Sequence, residues 1–403
     1  MDLPFSLVRD ISPPRALKRR KLSEVSSPVP HTEALYDAKN GPTLAAVEAG
    51  KAKIEDHLTY FKKHLTKASR RTTPEVPRLP VDDFANLYKN NNHQHGHHFV
   101  IHQHNHPKAG VHYDLRLQFS ASSSVSWALP KGLPGDPNSK QLGRMAIETR
   151  VHNLWNNLIE SASLKTGSLL IWDTGTYSVL PRHPDKKEMP SPQTTDDESD
   201  VDVKEYGQLG NGEHENEKLI QAFKSHHIRL RLHGTRLPKN YTITLRLPSN
   251  NDVSKGPAAR RRKRRPVVPR SRKLSNTPES DSDSNSNSDP NPQSTPLDTD
   301  SEEDTLTRHH NAYPGSHNTI SSIHQRRWFV LLDRRSSGFV IDESGTWVRR
   351  RLQDGEVAGG FERFVVRGRD WERSVVTGRL AAEVQSDEGC REFVGRGGWV
   401  GIV

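Results

Sequence analysis

Apolar residues are scarce in this 403-residue chain: 32% are hydrophobic and 6% aromatic, against 27% charged. A fully globular chain carries more. Much of this length therefore cannot bury enough apolar area to offset its ordering entropy. Long apolar runs are missing too. None approaches the ~20 residues that a membrane helix needs, and the first residues lack the apolar core of a secretory signal. The single cysteine, Cys390, excludes an intramolecular disulfide framework and a cysteine-based zinc module, and is compatible with a reducing compartment. No P-loop, nucleotidyl-transferase lysine motif or polymerase signature is visible, so nothing here points to a nucleotide cofactor or to ligase activity. Positive charge is in excess: 59 Lys and Arg against 49 Asp and Glu, a formal charge of +10. The pI near 9.6 favours a polyanionic partner such as nucleic acid.

The composition divides the chain. Residues 1–43 read as a disordered basic tail, Pro- and Ser-rich to about residue 35, with Leu17-Lys-Arg-Arg-Lys-Leu22 as a nuclear-import or polyanion-binding cluster. Residues 44–67 fit a helix with a loose apolar stripe of Ala45, Val47, Ile54, Leu58 and Phe61. Its basic edge faces either DNA or solvent. Strands are predicted at 98–104, 111–119, 125–129, 144–149, 168–173 and 176–180. After an acidic insert at 184–217, the runs 226–232 and 240–247 alternate at period two and return as a hairpin. One β-domain over 44–250 follows.

Residues 251–320 read as a disordered linker, with Arg260-Arg-Arg-Lys-Arg-Arg265 followed by an acidic, Ser-rich stretch. That basic block suits nuclear import, DNA attraction or self-association equally. Residues 321–403 form a partly ordered extension. Within it, Trp328-Phe-Val-Leu-Leu332 is a strand that either joins the barrel or docks the tail onto it, and a helix fits around 377–388. No chemistry can be assigned to this extension. The fold expected is mainly β: a small barrel with flanking short helices and long disordered segments.

The run Val111-His-Tyr-Asp-Leu-Arg-Leu-Gln-Phe119 carries the chemistry. As a strand it puts His112, Asp114 and Arg116 on one face at ~7 Å steps, and Tyr113, Leu115, Leu117 and Phe119 on the other. Imidazole and carboxylate can ligate a divalent ion, and a guanidinium pairs with phosphate oxygens. Upstream, Phe99-Val-Ile-His-Gln-His-Asn-His-Pro-Lys-Ala-Gly110 forms a hairpin with it. His102, His104 and His106 share the parity of His112, so a cross-strand histidine can complete a two-His-one-carboxylate set that suits manganese, iron or zinc. The preceding His93, His95, His97 and His98 read as incidental residues of a solvated loop.

The segments Phe99-Val-Ile-x-x-His104, His112-Tyr-Asp-x-Arg-Leu117 and Ser126-Trp-Ala-Leu-Pro-Lys-Gly132 resemble the 3′-phosphoesterase domain of bacterial DNA ligase D. So do Arg144 followed by His152, and Ile171-Trp-Asp-x-Gly-Thr-Tyr177. The motifs occur in the family's order across roughly 70–250. The resemblance implies a small β-barrel with a manganese site that processes 3′ ends of DNA, removing a terminal ribonucleoside and then the 3′-phosphate. It implies His112, Asp114 and His104 as ligands, with Mn2+ or another divalent transition metal bound. Arg116 then binds phosphate, Arg144, His152 and Lys131 belong to the pocket, and Glu75 matches an acidic residue at the domain's start.

Departures accompany the match. The family's step between histidine ligands is six residues, whereas His104 to His112 spans eight and His106 to His112 six. His106 is thus the alternative third ligand. Asn156 stands where the family has a tyrosine, and His102 where it has a glutamine. The stretch Ser161-Ala-Ser-Leu-Lys-Thr-Gly167 is shortened. The sequence thus predicts a metal-dependent phosphoesterase acting on DNA or RNA 3′ ends in repair, with no membrane association and a nuclear location. The alternatives are a catalytically weakened module that binds nucleic-acid ends, or a scaffold.

Overall fold

A computed structural model describes residues 36–37, 41–48, 52–182, 213–252 and 310–402. Most of the basic tail, the acidic insert to residue 212 and the linker over 253–309, with the two basic clusters, lie outside the described residues.

A two-strand ladder, β1 (Tyr36–Asp37) with β2 (Gly41–Pro42), precedes the helices α1 (Leu44–Glu48), α2 (His57–Ala68) and α3 (Val81–Asn91). The single helix expected over 44–67 is therefore two. Asp56 explains the break: its carboxylate accepts the Thr59 N–H at 3.0 Å as the N-cap of α2, a position that suits Asp better than a helix interior. α3 was not anticipated, although its start carries Pro80, Asp82 and Asp83 and its last turn Lys89, the charge order that a helix dipole favours.

The strands that follow are β3 (His98–His106), β4 (Gly110–Gln118), β5 (Ser123–Leu129), β6 (Arg144–Glu148), β7 (His152–Asn153), β8 (Ser161–Ser163), β9 (Gly167–Val179), β10 (His227–Gly234), β11 (Thr242–Arg246) and β12 (Arg327–Leu332). Eight of them close an antiparallel barrel in the order β10-β11-β12-β6-β5-β4-β3-β9, with β9 returning to β10. β12 takes the first of its two expected roles. Across the linker, it fills the gap between β11 and β6, so no unpaired edge remains there. Residues 310–320, expected as linker, begin against the barrel: Val151 N–H donates to Asn311 O and Tyr313 N–H to Val151 O.

Alternation along the strands separates two cores. Phe99, Ile101, Tyr113, Leu115, Leu117, Val125, Trp127 and Trp328 fill the barrel. Val100, Leu169 and Ile171 point outward, where Phe61, Leu65, Phe84, Leu154, Leu158 and Val375 cover them. β9 runs unbroken where two strands were expected. Gly175 sits at a close approach rather than a break: a Cβ there would lie 1.9 Å from His233 O. The adjacent Asp173 is structural as well. Its Oδ1 accepts the N–H groups of Thr174, Thr235 and Arg236, and its Oδ2 that of Leu237. Helix α4 (Glu215–Lys224) begins inside the expected insert, and α5 (Ala381–Asp387) lies within the predicted 377–388. A 3-10 turn, Leu154–Leu158, follows β7.

Two buried carboxylates tie distant segments to the barrel. Glu160 accepts from Ile171 N–H, Ser374, Thr377 and Arg379, anchoring the C-terminal extension. Glu148, 0% exposed, accepts from Ser322, Ile323 N–H, Trp328 and Arg326. Removing it leaves the buried Arg326 charge facing the more distant Asp252, 3.8 Å away. Glu148→Ala should lower unfolding free energy by about 3–5 kcal/mol, read as the shift of a urea midpoint. A loss below about 1 kcal/mol would show that solvent or neighbours replace the carboxylate.

Candidate metal centre

The hairpin of β3 and β4 sets the site. Gly110, at φ +78°, takes the left-handed conformation that closes the turn. In this register His104 faces His112, His102 faces Asp114 and Val100 faces Arg116. Tyr113, Leu115 and Leu117 fill the barrel, so His112, Asp114 and Arg116 turn outward together, as the sequence pattern required. They are nevertheless buried, each at most 7% exposed.

His104 Nδ1 lies 3.5 Å from Asp114 Oδ2, and His112 Nε2 lies 3.4 Å from Asp114 Oδ1. One ligand atom from each of the three residues falls within 4.8 Å of the others. Backbone carbonyls orient both rings. His104 Nε2 donates to Thr166 O at 2.8 Å, and His112 Nδ1 donates to Gly110 O at 3.0 Å. In the neutral imidazoles these bonds leave the lone pairs at Nδ1 and Nε2, the two atoms that face the carboxylate. Acceptors converging on an anion need a cation between them. Asp114 Oδ1 is buried without a hydrogen-bond partner, an orphan that a metal ion would satisfy. The residues therefore fit a divalent ion.

Electrostatics agree with the geometry. Burial lowers the His112 pKa despite the nearby Asp114, so the ring is neutral. Burial alone would raise the Asp114 carboxyl, but the imidazoles of His112 and His104 in their protonated form, together with Arg116, hold it well below the usual carboxylate range. Arg116 Nη2 lies 3.7 Å from Asp114 Oδ2, and its Nη1 donates to Asn156 O at 3.1 Å. His152 stands beside Arg116; burial first, then the guanidinium charge, pushes its pKa well down. Asn156 Nδ2 donates to His152 Nδ1 at 3.1 Å, which places the imidazole proton on Nε2. The side chain of the asparagine that departs from the family pattern thus orients His152, while its backbone carbonyl, which any residue would supply, receives Arg116.

The other predicted residues separate from this group. His106 pairs with Gly110 at the end of the hairpin, where its Nδ1 accepts the N–H groups of Lys108 and Ala109 at 3.2 and 3.1 Å. Burial and the neighbouring His104 push it down to about 4. Arg144 alternates with the core residue Ala146, so it turns into the barrel, away from the outward face. Its guanidinium donates to the carbonyls of Lys131, Leu133 and Ile402. Lys131 contributes its carbonyl to that anchor. Glu75 is exposed, and a hydrogen bond from Thr73 lowers its pKa.

Two histidines read differently in three dimensions. His98, expected in a solvated loop, is fully buried and bonded to Thr174 and Asn157. His102, one of the three histidines that share the parity of His112, lies directly opposite Asp114. Its Nε2 donates to Ile159 O at 3.1 Å, and its Nδ1 is buried without a partner. The shared parity with His112 was the available signal.

Comparison with known proteins adds an independent line. Residues 102–245 match the family model of the DNA ligase D 3′-phosphoesterase domain. The multifunctional non-homologous end joining DNA repair protein LigD of Mycobacterium tuberculosis is 30% identical over 192 residues, covering 45% of this chain and 22% of that protein. The multifunctional non-homologous end joining protein LigD of Mycobacterium bovis matches to the same extent. The chain spans about a fifth of the length of these curated relatives. The barrel, the shared hairpin motif and these matches agree: residues 102–245 of this chain match the DNA ligase D 3′-phosphoesterase domain and are homologous to part of LigD.

Proposed function

We propose that this chain is a manganese-dependent phosphoesterase that trims DNA or RNA 3′ ends in end-joining repair, removing a 3′-phosphate, a terminal ribonucleoside or both. One observation carries the reading: His104, His112 and Asp114 converge beside Arg116 on a single buried face within a 3′-phosphoesterase-family domain. A bound divalent ion supplies charge neutralisation at the phosphate and a more acidic water. Another transition metal of similar coordination habit can substitute.

The chain's own residues do the rest. Arg116 has a planar fork for two phosphate oxygens, and Asn156 O holds one of its arms. His152 is neutral with its proton on Nε2, so it donates a hydrogen bond to a phosphate oxygen rather than transferring a proton as an imidazolium. His102, bonded to Ile159 O and opposite Asp114 in the hairpin, keeps its buried Nδ1 without a partner. Burial of the cluster keeps bulk water from competing with these contacts.

The excess basic charge favours a nucleic-acid partner. The two basic clusters support a nuclear location. No helix among the described residues is long and apolar enough to cross a membrane.

The test is inorganic phosphate release from a 3′-phosphorylated primer–template, run with manganese and with excess chelator. A second primer ending in one ribonucleotide separates the diester step from the monoester step. Release with manganese and none with chelator is the expected result. Binding of the ends with no release under any divalent metal would favour the end-binding module instead.

A further inference from the structure

We propose that Tyr313, with Arg150, is a docking platform for the 3′-terminal nucleoside, on which its base stacks while the phosphate enters the buried face. The identification of the ligand as a nucleic-acid end rests on the reading above. Tyr313 itself lies beyond residue 245, where the family match stops.

Placement comes first. The Tyr313 ring centroid lies 4.7 Å from that of His152, and Asn156 joins His152 to Arg116 through its side chain and its backbone carbonyl. The tyrosine therefore sits at the rim of the phosphate site. It is one of the large apolar or aromatic side chains the fold leaves open, 39% exposed. The Arg150 guanidinium lies 5.5 Å from its ring centre. An exposed aromatic ring beside a planar cation is the pairing on which unpaired bases stack.

Rigidity is the second argument. A chance surface tyrosine needs no scaffold, but this one has a dense one. Val151 bridges Ala312, and Tyr313 N–H donates to Val151 O at 3.0 Å. Asn153 Nδ2 donates to Pro314 O at 2.9 Å, and Ser316 Oγ to Val151 O at 3.0 Å. Asn311 Nδ2 donates to Thr149 O at 3.0 Å and to Ser322 Oγ at 2.9 Å. The same stretch, 149–153, carries His152 and Arg150. Platform and phosphate site are thus set by one short piece of backbone, so the distance between base and phosphate contacts is fixed before binding.

The test measures binding by the full chain in chelator, so that no turnover enters. Fluorescence anisotropy compares two 3′-phosphorylated oligonucleotides, one ending in a normal nucleoside and one in an abasic sugar. The wild-type chain should favour the nucleoside end by about tenfold, within the range of base–aromatic stacking. Tyr313→Ala should bind both ends with the abasic affinity, and Tyr313→Phe and Tyr313→Trp should restore the preference. A merely structural tyrosine would not move this ratio. Equal affinity of the wild type for the two ends, no measurable affinity for either, or a preference that survives in Tyr313→Ala would overturn the proposal. Base preference without phosphate release would instead sink the phosphoesterase reading and leave the platform standing.

Discussion

Asp114→Ala should abolish manganese-dependent phosphate release, with turnover falling by about 10³-fold or more. The magnitude follows from the several kcal/mol a catalytic metal contributes at a developing phosphate charge. Asp114 is the one anion of the cluster, and both histidine lone pairs face it at 3.4–3.5 Å. Without it the two imidazoles have no anion beside them with which to hold a divalent ion. His112→Ala should behave alike, because the bond from its Nδ1 to Gly110 O presents Nε2 to the same point. Arg116→Lys should lose about 10²-fold, since an ammonium cannot reproduce the fork that bridges Asn156 O and the phosphate. Steady-state release measured across a manganese titration separates these cases: the ligand variants stay flat at every concentration, whereas Arg116→Lys saturates at a lower rate. Turnover of Asp114→Ala equal to wild type would remove the metal centre from the mechanism.

What the sequence revealed of this site follows from how local the signals were. Strand alternation fixes which side chains share a face, so His112, Asp114 and Arg116 were legible from the nine residues 111–119. Their burial was not. It depends on segments far along the chain, among them the 3-10 turn at Leu154–Leu158, whose Asn156 carbonyl receives Arg116. Arg144 shows the opposite limit. It lies in a motif that marks the family, but its strand turns it into the barrel to bind carbonyls. Motif membership does not distinguish a residue that holds the barrel from one that meets substrate. Asp173 and Gly175 make the same point: their motif organises the β10–β11 turn rather than the site.

Barrel closure was half legible. The apolar run at 328–332 is too short to stand alone, which implied pairing, but the choice of β6 and β11 as neighbours needed the three-dimensional register. The helices at Val81–Asn91 and Glu215–Lys224 carried cap and charge signals that their mostly polar composition obscured. Tyr313 had no sequence signal, because its partner His152 lies 161 residues away.

The second large effect concerns the third ligand. His104→Ala should reduce metal affinity by at least the ~100-fold that even indirect changes at metal sites can cost, whereas His106→Ala should retain most activity. The two residues share a strand face, so parity does not separate them. Their hydrogen bonds do. His104 donates from Nε2 to Thr166 O and turns Nδ1 toward Asp114. His106 spends Nδ1 on the turn amides of Lys108 and Ala109. The two extra residues relative to the family spacing then belong to a longer hairpin, and the strand keeps its register because Phe99 and Ile101 are buried on the opposite face.

The most direct test of the whole account is an anomalous difference map at the manganese edge, from crystals of the full chain soaked in the metal. The account predicts one peak bonded to His104 Nδ1, His112 Nε2 and the Asp114 carboxylate, beside Arg116. A peak on His106 instead of His104, or none at Asp114 while the same crystals release phosphate, would contradict it.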